Sequence, residues 1–206
     1  MDVKQTVYVV DDDEGVRDGL ELLLATIGLP CELFESAQSF LDAYDEKQSG
    51  CLVLDIRMPR MTGLDLQEKL ISMGSRLPII FITGHGDIPM AVEAMRRGAV
   101  DFIRKPFREH DLLDRINEAL AVDDTVRKQA MDRQAIQDRL ALLSNREREV
   151  FERVADGEMN KMIAADLGIS ERTVEVHRGQ VMKKLGVKTL AQLVRIKIEA
   201  ELILAA

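Results

Sequence analysis

The chain contains Cys51-Leu52-Val53-Leu54-Asp55-Ile56-Arg57-Met58-Pro59, in which an apolar run ends in one carboxylate and a proline soon follows. A continuous apolar run bounded by such turn signals is typical of a β-strand that is buried on both faces, which favours a parallel sheet. Asp55 would then stand at the carboxyl end of its strand, where open α/β sheets place their ligand crevice. A carboxylate in that position is either a metal ligand or a nucleophile.

Further apolar segments of the same kind flank this strand. They predict strands over 7–10, 31–34, 77–82 and 100–103, in addition to 51–55. Between and after them, apolar residues recur at the spacing of helices over about 15–27, 36–44, 64–73, 89–97 and 109–121. Five strands that alternate with five helices predict a doubly wound five-stranded parallel sheet, an α/β domain over residues 1–121.

Polar residues follow the predicted strands at their carboxyl ends. They are Asp11 and Asp12, Asp55, Thr83 and Lys105. One aspartate after a strand is usually a turn or cap residue, but all of these positions meet in one crevice of a doubly wound sheet. Neighbouring carboxylates repel each other and need a cation, and oxygen ligands suit Mg²⁺. With a hydroxyl and an ammonium for anionic oxygens, the set predicts a phosphoryl-transfer site with Asp55 as nucleophile.

The chain changes character after residue 121. Residues 122–138 are polar, lack Gly and Pro and have a loose helical spacing, so they predict a helical linker. The net charge of the whole chain is −8, yet residues 139–206 carry 12 bases and 10 acids. Within 159–198 there are 8 bases against 3 acids. A basic segment in an acidic chain indicates a nucleic-acid-binding face.

Residues 139–206 have only helical periodicity and predict an all-α domain of four helices, over about 145–156, 161–167, 171–185 and 189–203. Gly168-Ile169-Ser170 joins the second and third of them, as in a helix-turn-helix whose second helix enters the major groove. The apolar face of that helix should pack inward through Val174, Val181, Met182 and Leu185. Taken alone, a basic amphipathic helix is more often an ordinary solvated face.

The composition also predicts a cellular compartment. No apolar run reaches the roughly 20 residues of a membrane span, and the N-terminus has no signal-peptide pattern. Two cysteines, Cys31 and Cys51, cannot form a disulfide framework. We therefore expect a cytoplasmic protein with reduced cysteines and no membrane partner.

Residues 5–121 resemble the receiver domain of two-component response regulators. The resemblance rests on Asp11-Asp12, Asp55, Met58-Pro59, Thr62-Gly63, Thr83 and Lys105-Pro106. It implies that a sensor histidine kinase phosphorylates Asp55. It also implies that Mg²⁺ is held by Asp12, Asp55 and the backbone carbonyl of Arg57, with Asp11 acting through water.

Two further features come with this resemblance. Phe102 stands where the family carries an aromatic that turns inward when Thr83 moves toward the phosphoryl group. The segment 83–90 resembles the FixJ branch, and within it we expect His85 to be a surface loop residue.

Residues 139–203 resemble the LuxR/FixJ-type helix-turn-helix. The matching residues are Leu143-Ser144, Arg146-Glu147, Asn160-Lys161, Ile163-Ala164 and 170–182. The resemblance implies dimers on DNA half-sites, with base edges near Glu175, Val176, Arg178 and Gly179. Phosphates would lie near Asn160, Lys161, Arg172, Thr173, His177 and Lys183, although His177 could instead be buried and structural.

The sequence thus predicts a response regulator that is phosphorylated on Asp55, forms a homodimer and binds double-stranded promoter DNA. We expect it to act with RNA polymerase as an activator. One alternative is an Mg²⁺-dependent phosphatase or phosphotransferase, but its general acid would fall at Arg57, so we expect no turnover enzyme. The other is a phosphorelay or protein-interaction module without DNA output, which the basic charge of 159–198 argues against.

Overall fold

The computed structural model describes residues 4–84 and 88–204. They form two compact units, a first unit that ends at Arg127 and a second unit that begins at Lys128. His85, predicted to be a surface loop residue, lies outside the described residues.

The first unit contains a five-stranded parallel sheet in the order β2-β1-β3-β4-β5. Its strands are β1 (Thr6–Val10), β2 (Cys31–Phe34), β3 (Gly50–Asp55), β4 (Ile79–Thr83) and β5 (Asp101–Arg104). Strand β3 lies at the centre and is buried at every position. The order reverses between β1 and β3, which makes the carboxyl ends of these two strands the ligand edge of the sheet. The predicted doubly wound sheet is confirmed.

Five helices begin in the first unit: α1 (Glu14–Thr26), α2 (Ala37–Ala43), α3 (Gly63–Ser72), α4 (Ile88–Arg96) and α5 (Glu109–Ala141). Because successive strand residues point to opposite faces, the sheet contributes side chains to two apolar clusters. One cluster contains Leu54 and Phe81 and packs against α2, α3 and α4. The other contains Val53 and Ile80 and packs against α1 and α5.

Helix α5 does not end near residue 121, so that predicted boundary is wrong. The helix continues to Ala141, and the predicted helical linker 122–138 forms part of it. No Gly or Pro interrupts the helix after residue 121, and Asp123 is buried in the first unit. A polar residue in this segment is therefore not always a solvated one.

The second unit is helical and contains α6 (Asn145–Ala155), α7 (Asn160–Leu167), α8 (Glu171–Leu185) and α9 (Leu190–Leu204). Its core unites Phe151, Ile163 and Leu193 with the predicted apolar face of α8, in which Val174, Val181 and Leu185 are buried and Met182 is half-buried. Ile136, from the last turns of α5, joins the same core. Among the described helices of the chain, none is long and apolar enough to span a membrane.

Candidate functional site

The carboxyl ends of β1, β3 and β5 bring three charged side chains into contact. The Lys105 Nζ atom lies 2.7 Å from Asp11 Oδ2 and 2.7 Å from Asp55 Oδ1. The Asp11 and Asp55 side chains are 1% and 9% exposed, whereas the Lys105 side chain is 26% exposed. One ammonium therefore bridges two carboxylates at the edge of the sheet, with its own outer side in contact with solvent.

Backbone amides hold the other oxygen of each carboxylate. The amide of Arg57 donates to Asp55 Oδ2 over 2.6 Å, and the amide of Asp13 donates to Asp11 Oδ1 over 3.0 Å. Burial raises the pKa of Asp55 above its usual value, although its hydrogen bond to Lys105 acts against this. Burial lowers the pKa of Lys105, but its hydrogen bonds to Asp11 and Asp55 outweigh that and leave the pKa raised. Both carboxylates are thus fixed in orientation.

Asp12, which was also predicted to hold a metal ion, is not part of this cluster. Asp11 follows β1 directly and is buried, whereas Asp12, the next residue, is exposed to solvent. Within the described parts of the chain, no three His, Cys, Asp or Glu side chains are gathered as a site for a metal ion. Lys105 lies between Asp11 and Asp55 instead.

The two predicted switch residues occupy different environments. Thr83 ends β4 and is 3% exposed, and its hydroxyl donates to the carbonyl of Gly84 over 3.4 Å. Phe102 lies on the neighbouring edge strand β5 and is 39% exposed. The Phe102 residue is therefore at the surface, which fits the outward position that the resemblance assigns to the resting state.

The loop between β3 and α3 passes very close to Asp55. The Gly63 amide donates to the carbonyl of Ile56 over 2.9 Å. A Cβ atom at Gly63 would overlap the backbone carbonyl of Asp55 and press on the Phe81 ring. A glycine is required here because the first turn of α3 packs directly on the strand end that carries Asp55.

Most of the predicted DNA-contacting residues lie at the surface of the second unit. The exposed ones are Lys161, Arg172, Glu175, Val176, Gly179 and Lys183. The half-buried ones are Asn160, Thr173, His177 and Arg178. The predicted alternative of a fully buried His177 is not what the structure has.

Two of the half-buried residues form a pair that the sequence did not predict. The Arg178 Nη1 atom donates to Asn160 Oδ1 over 2.6 Å and so links α8 to the start of α7. Sequence reasoning assigned Arg178 to a base and Asn160 to a phosphate, as independent contacts. Nothing local marks the pair, because 18 positions separate the two residues.

Basic residues of α8 do not all face outward. The Lys184 Nζ atom lies 2.6 Å from Glu147 Oε2 and donates to the carbonyl of Leu142 over 3.1 Å. Glu147 is 6% exposed and also accepts from the Ser144 amide in the capping box of α6. The hydrogen bond from Lys184 and that from the Ser144 amide lower the pKa of Glu147 to about 2. Lys184 therefore stabilises the fold of the second unit through these contacts.

Two protein families match separate parts of the chain. Residues 7–117 match the response regulator receiver domain. Residues 141–197 match the bacterial regulatory proteins of the LuxR family. The first match covers the Asp11–Asp55–Lys105 cluster, and the second covers α6, α7 and α8.

Several known proteins are similar to this chain over nearly its whole length. The response regulator protein TmoT of Ectopseudomonas mendocina is 46% identical over 95% of this chain and 89% of its own. The transcriptional regulatory protein FixJ of Bradyrhizobium diazoefficiens is 44% identical over 97% of this chain and 98% of its own. Among solved structures, the response regulator StyR is 46% identical, with a TM-score of 0.92 over 96% of this chain and 100% of that one. Full-length FixJ from B. japonicum is 43% identical, with a TM-score of 0.60 over 97% and 98%.

Proposed function

The chain belongs to the response regulators that join a receiver domain to a LuxR-family DNA-binding domain, and on that basis we propose that phosphorylation of Asp55 by a sensor histidine kinase controls its activity as a transcription regulator. One observation carries the proposal. It is the Lys105 ammonium that bridges Asp11 and Asp55 at the carboxyl edge of the sheet.

Asp55 is suited to the role of nucleophile. Its backbone is fixed in the central strand, and one of its oxygens is oriented by the Arg57 amide. Burial raises its pKa, and a more basic carboxylate is a better nucleophile. A carboxylate oxygen attacks the phosphorus of the phosphohistidine, the P–N bond breaks and an acyl phosphate forms. We propose that Lys105 and the Thr83 hydroxyl bind the new phosphoryl oxygens.

The donors near this edge have the chemistry that suits a magnesium ion, although the described side chains are not gathered around one position. Asp11, Asp12 and Asp55 bring three negative charges against the single positive charge of Lys105, and every donor is an oxygen. Hard oxygen ligands that leave room for water and phosphate are what Mg²⁺ prefers. We propose that Asp12, Asp55 and the backbone carbonyl of Arg57 hold the ion, with Asp11 acting through water. The bound ion supplies positive charge to the phosphoryl oxygens.

We further propose that the chain accepts a phosphoryl group but does not turn over a substrate. A phosphatase of this architecture would need a general acid close after its nucleophile. Arg57 stands two residues after Asp55, and a guanidinium stays protonated under all physiological conditions. The proposal allows slow hydrolysis of the protein's own acyl phosphate.

For the output, we propose that α8 reads bases through Glu175, Val176 and Gly179, together with Arg178 held by Asn160. The exposure of Glu175, Val176 and Gly179 on this helix supports the role, and Arg178 is half-buried beside Asn160. Lys161, Arg172 and Lys183 are also exposed and would contact phosphates, which set the register of binding. Thr173 and His177, both half-buried, complete the proposed phosphate contacts.

We propose that phosphorylation produces a homodimer, which binds two half-sites of promoter DNA and activates transcription with RNA polymerase. The surface on α4 and β5 supports pairing, because Val92, Met95 and Phe102 are 53%, 38% and 39% exposed. A phosphorelay module without DNA output would not need the DNA-contacting residues proposed for the second unit. A salt titration of the full chain against DNA separates the two, since phosphate contacts make affinity fall with salt.

The phosphorylation proposal has a direct test. The full chain is incubated with Mg²⁺ and a small phosphodonor, and the hydroxylamine-labile adduct is quantified. Asp55→Asn should form no adduct, and Asp12→Ala should bind Mg²⁺ much more weakly because a ligand carboxylate is lost. The exposed Asp18→Asn serves as a matched control and should be labelled like the parent. Equal labelling of Asp55→Asn would remove Asp55 from the mechanism.

A further inference from the structure

Asp123 is a buried carboxylate that the phosphorylation site does not use. It lies 4% exposed in α5, within the first unit. Its Oδ2 atom accepts three hydrogen bonds, from Ser49 Oγ at 2.7 Å, the Gly50 amide at 3.0 Å and Gln5 Nε2 at 3.2 Å. Burying a carboxylate is costly unless donors surround it, and here three donors converge on one oxygen.

Neighbouring contacts fasten the same stretch of helix. The Gln5 side chain also donates to the carbonyl of Leu120 over 2.7 Å. One helical turn after Asp123, the Arg127 guanidinium donates to the carbonyls of Lys47 and Gln48, each over 3.3 Å. Two turns of α5 are thus tied to the residues that precede β1 and β3. This is the part of the sequence that composition alone predicted to be linker.

The start of β3, which Asp123 contacts, is closely packed against the start of β1. Gly50 has a positive φ of 133°, and a Cβ atom there would overlap the backbone of Thr6. The Thr6 amide in turn donates to the carbonyl of Ser49 over 2.9 Å. Gly50 begins the buried central strand β3 and Asp55 ends it, so one rigid strand runs from the Asp123 contact to the phosphorylation site.

We infer that Asp123 is the positioning residue that fastens the interdomain helix to the receiver sheet, and that phosphorylation controls DNA binding only while this fastening is intact. A buried apolar residue could hold the helix by contact area alone. Three hydrogen bonds to one oxygen also fix the rotation of this part of the helix about its axis. The regulatory part of this inference rests on the proposed phosphorylation of Asp55.

The test uses the full chain with Asp123→Ala, which removes the acceptor, and Asp132→Ala, an exposed aspartate of the same helix, as a matched control. Hydrogen exchange should accelerate about tenfold or more over amides 121–127 in the first variant, since local opening becomes easier, and stay unchanged in the control. The DNA probe is a duplex selected by the phosphodonor-treated parent from a random pool. Its affinity ratio with and without phosphodonor should fall to about one in Asp123→Ala and keep the parental value in the control.

Labelling at Asp55 separates the possible failures. If the parent forms no adduct, the proposed phosphorylation is wrong, whatever Asp123 does. If Asp123→Ala is labelled like the parent and keeps the parental affinity ratio or exchange rates, the inference is overturned. If Asp123→Ala loses labelling through misfolding, Ser49→Ala and Arg127→Ala decide. Ser49→Ala removes one hydrogen bond to Asp123, Arg127→Ala removes the two hydrogen bonds to Lys47 and Gln48, and both spare the carboxylate. Parental affinity ratios in both would equally overturn it, whereas reduced ratios with normal labelling would support it.

Discussion

Arg178 and Asn160 are joined by a 2.6 Å hydrogen bond between the guanidinium and the side-chain carbonyl. The bond connects the exposed recognition helix to the helix before it. An arginine that is held in place loses less conformational entropy when it contacts a base than a free one does. If Arg178 contacts a base as proposed, the pair should lower the entropic cost of that contact.

Arg178→Ala should cost about 1–3 kcal/mol of DNA-binding free energy and relax specificity at one base position. Lys183→Ala should instead weaken all sequences alike and flatten the dependence of log affinity on log salt by about one unit. Asn160→Ala should reproduce part of the Arg178 effect, and a double-mutant cycle should give a coupling of about 0.5–3 kcal/mol. Competition binding against single-base variants of a selected duplex measures all three. Uniform losses in both Arg178→Ala and Lys183→Ala would contradict the division into base and phosphate contacts.

Lys105→Met should destabilise the first unit at pH 7, because Asp11 and Asp55 are left without their shared cation. The loss should be smaller than the roughly 3–5 kcal/mol of a fully buried pair, because Lys105 is 26% exposed. Burial already raises the pKa of Asp55, so on acidification its carboxylate is protonated at a higher pH than an ordinary aspartate. Protonation removes the repulsion between Asp11 and Asp55. The deficit relative to the parent should therefore shrink as pH falls from 7. Urea unfolding followed through sheet amide exchange checks this, with the exposed Lys69→Met as control.

Glu147→Gln should destabilise the second unit near neutral pH by about 1 kcal/mol, the scale of a single ion pair. Glutamine can still accept from the Ser144 amide, so the capping box survives and only the ion pair with Lys184 is lost. The folded pKa of Glu147 is about 2 against an ordinary 4.5, so its contribution is complete above pH 4.5 and disappears as pH falls toward 2. Amide exchange of α6 at pH 7 and pH 3 measures it. An equal deficit at both pH values, or the same deficit in the exposed Glu149→Gln, would contradict the ion-pair explanation.

Sedimentation should detect a dimer of the full chain only after treatment with phosphodonor and Mg²⁺. Met95→Asp places a charge in the exposed apolar surface formed by Val92, Met95 and Phe102, so it should remain monomeric when phosphorylated. Labelling of Asp55 should be unchanged in that variant, which confirms that the acceptor site is intact. A parent that is dimeric and equally tight on DNA in both conditions would show that phosphorylation does not control assembly.

Regular elements of the fold could be predicted because their signals are local. Strand β3 is apolar at every position before Asp55, and the predicted strand 51–55 differs from the observed one by a single residue. Helix α8 was predicted with its observed bounds, since Ser170 caps one end and Gly186 adopts a left-handed conformation at the other. Strand ends also brought Asp11, Asp55 and Lys105 together as expected.

The features that escaped prediction depend on residues far apart in the chain. Asp123 looks like a solvated residue until the fold brings it to Ser49, 74 positions away. From the sequence, Lys184 looks like a basic residue that faces DNA, but in the fold it contacts Glu147, 37 positions away. Polar residues have no periodic signal when they are buried singly, so their partners emerge only from the tertiary structure.

Gly50 and Gly63 limit how this protein can evolve. They lie on either side of Asp55 in the chain, and at both positions a Cβ atom would collide with backbone atoms, which cannot rotate away as a side chain can. Replacing either glycine should therefore distort the strand that carries Asp55. We expect descendants of this chain to diverge in exposed residues of the helices rather than at these two positions.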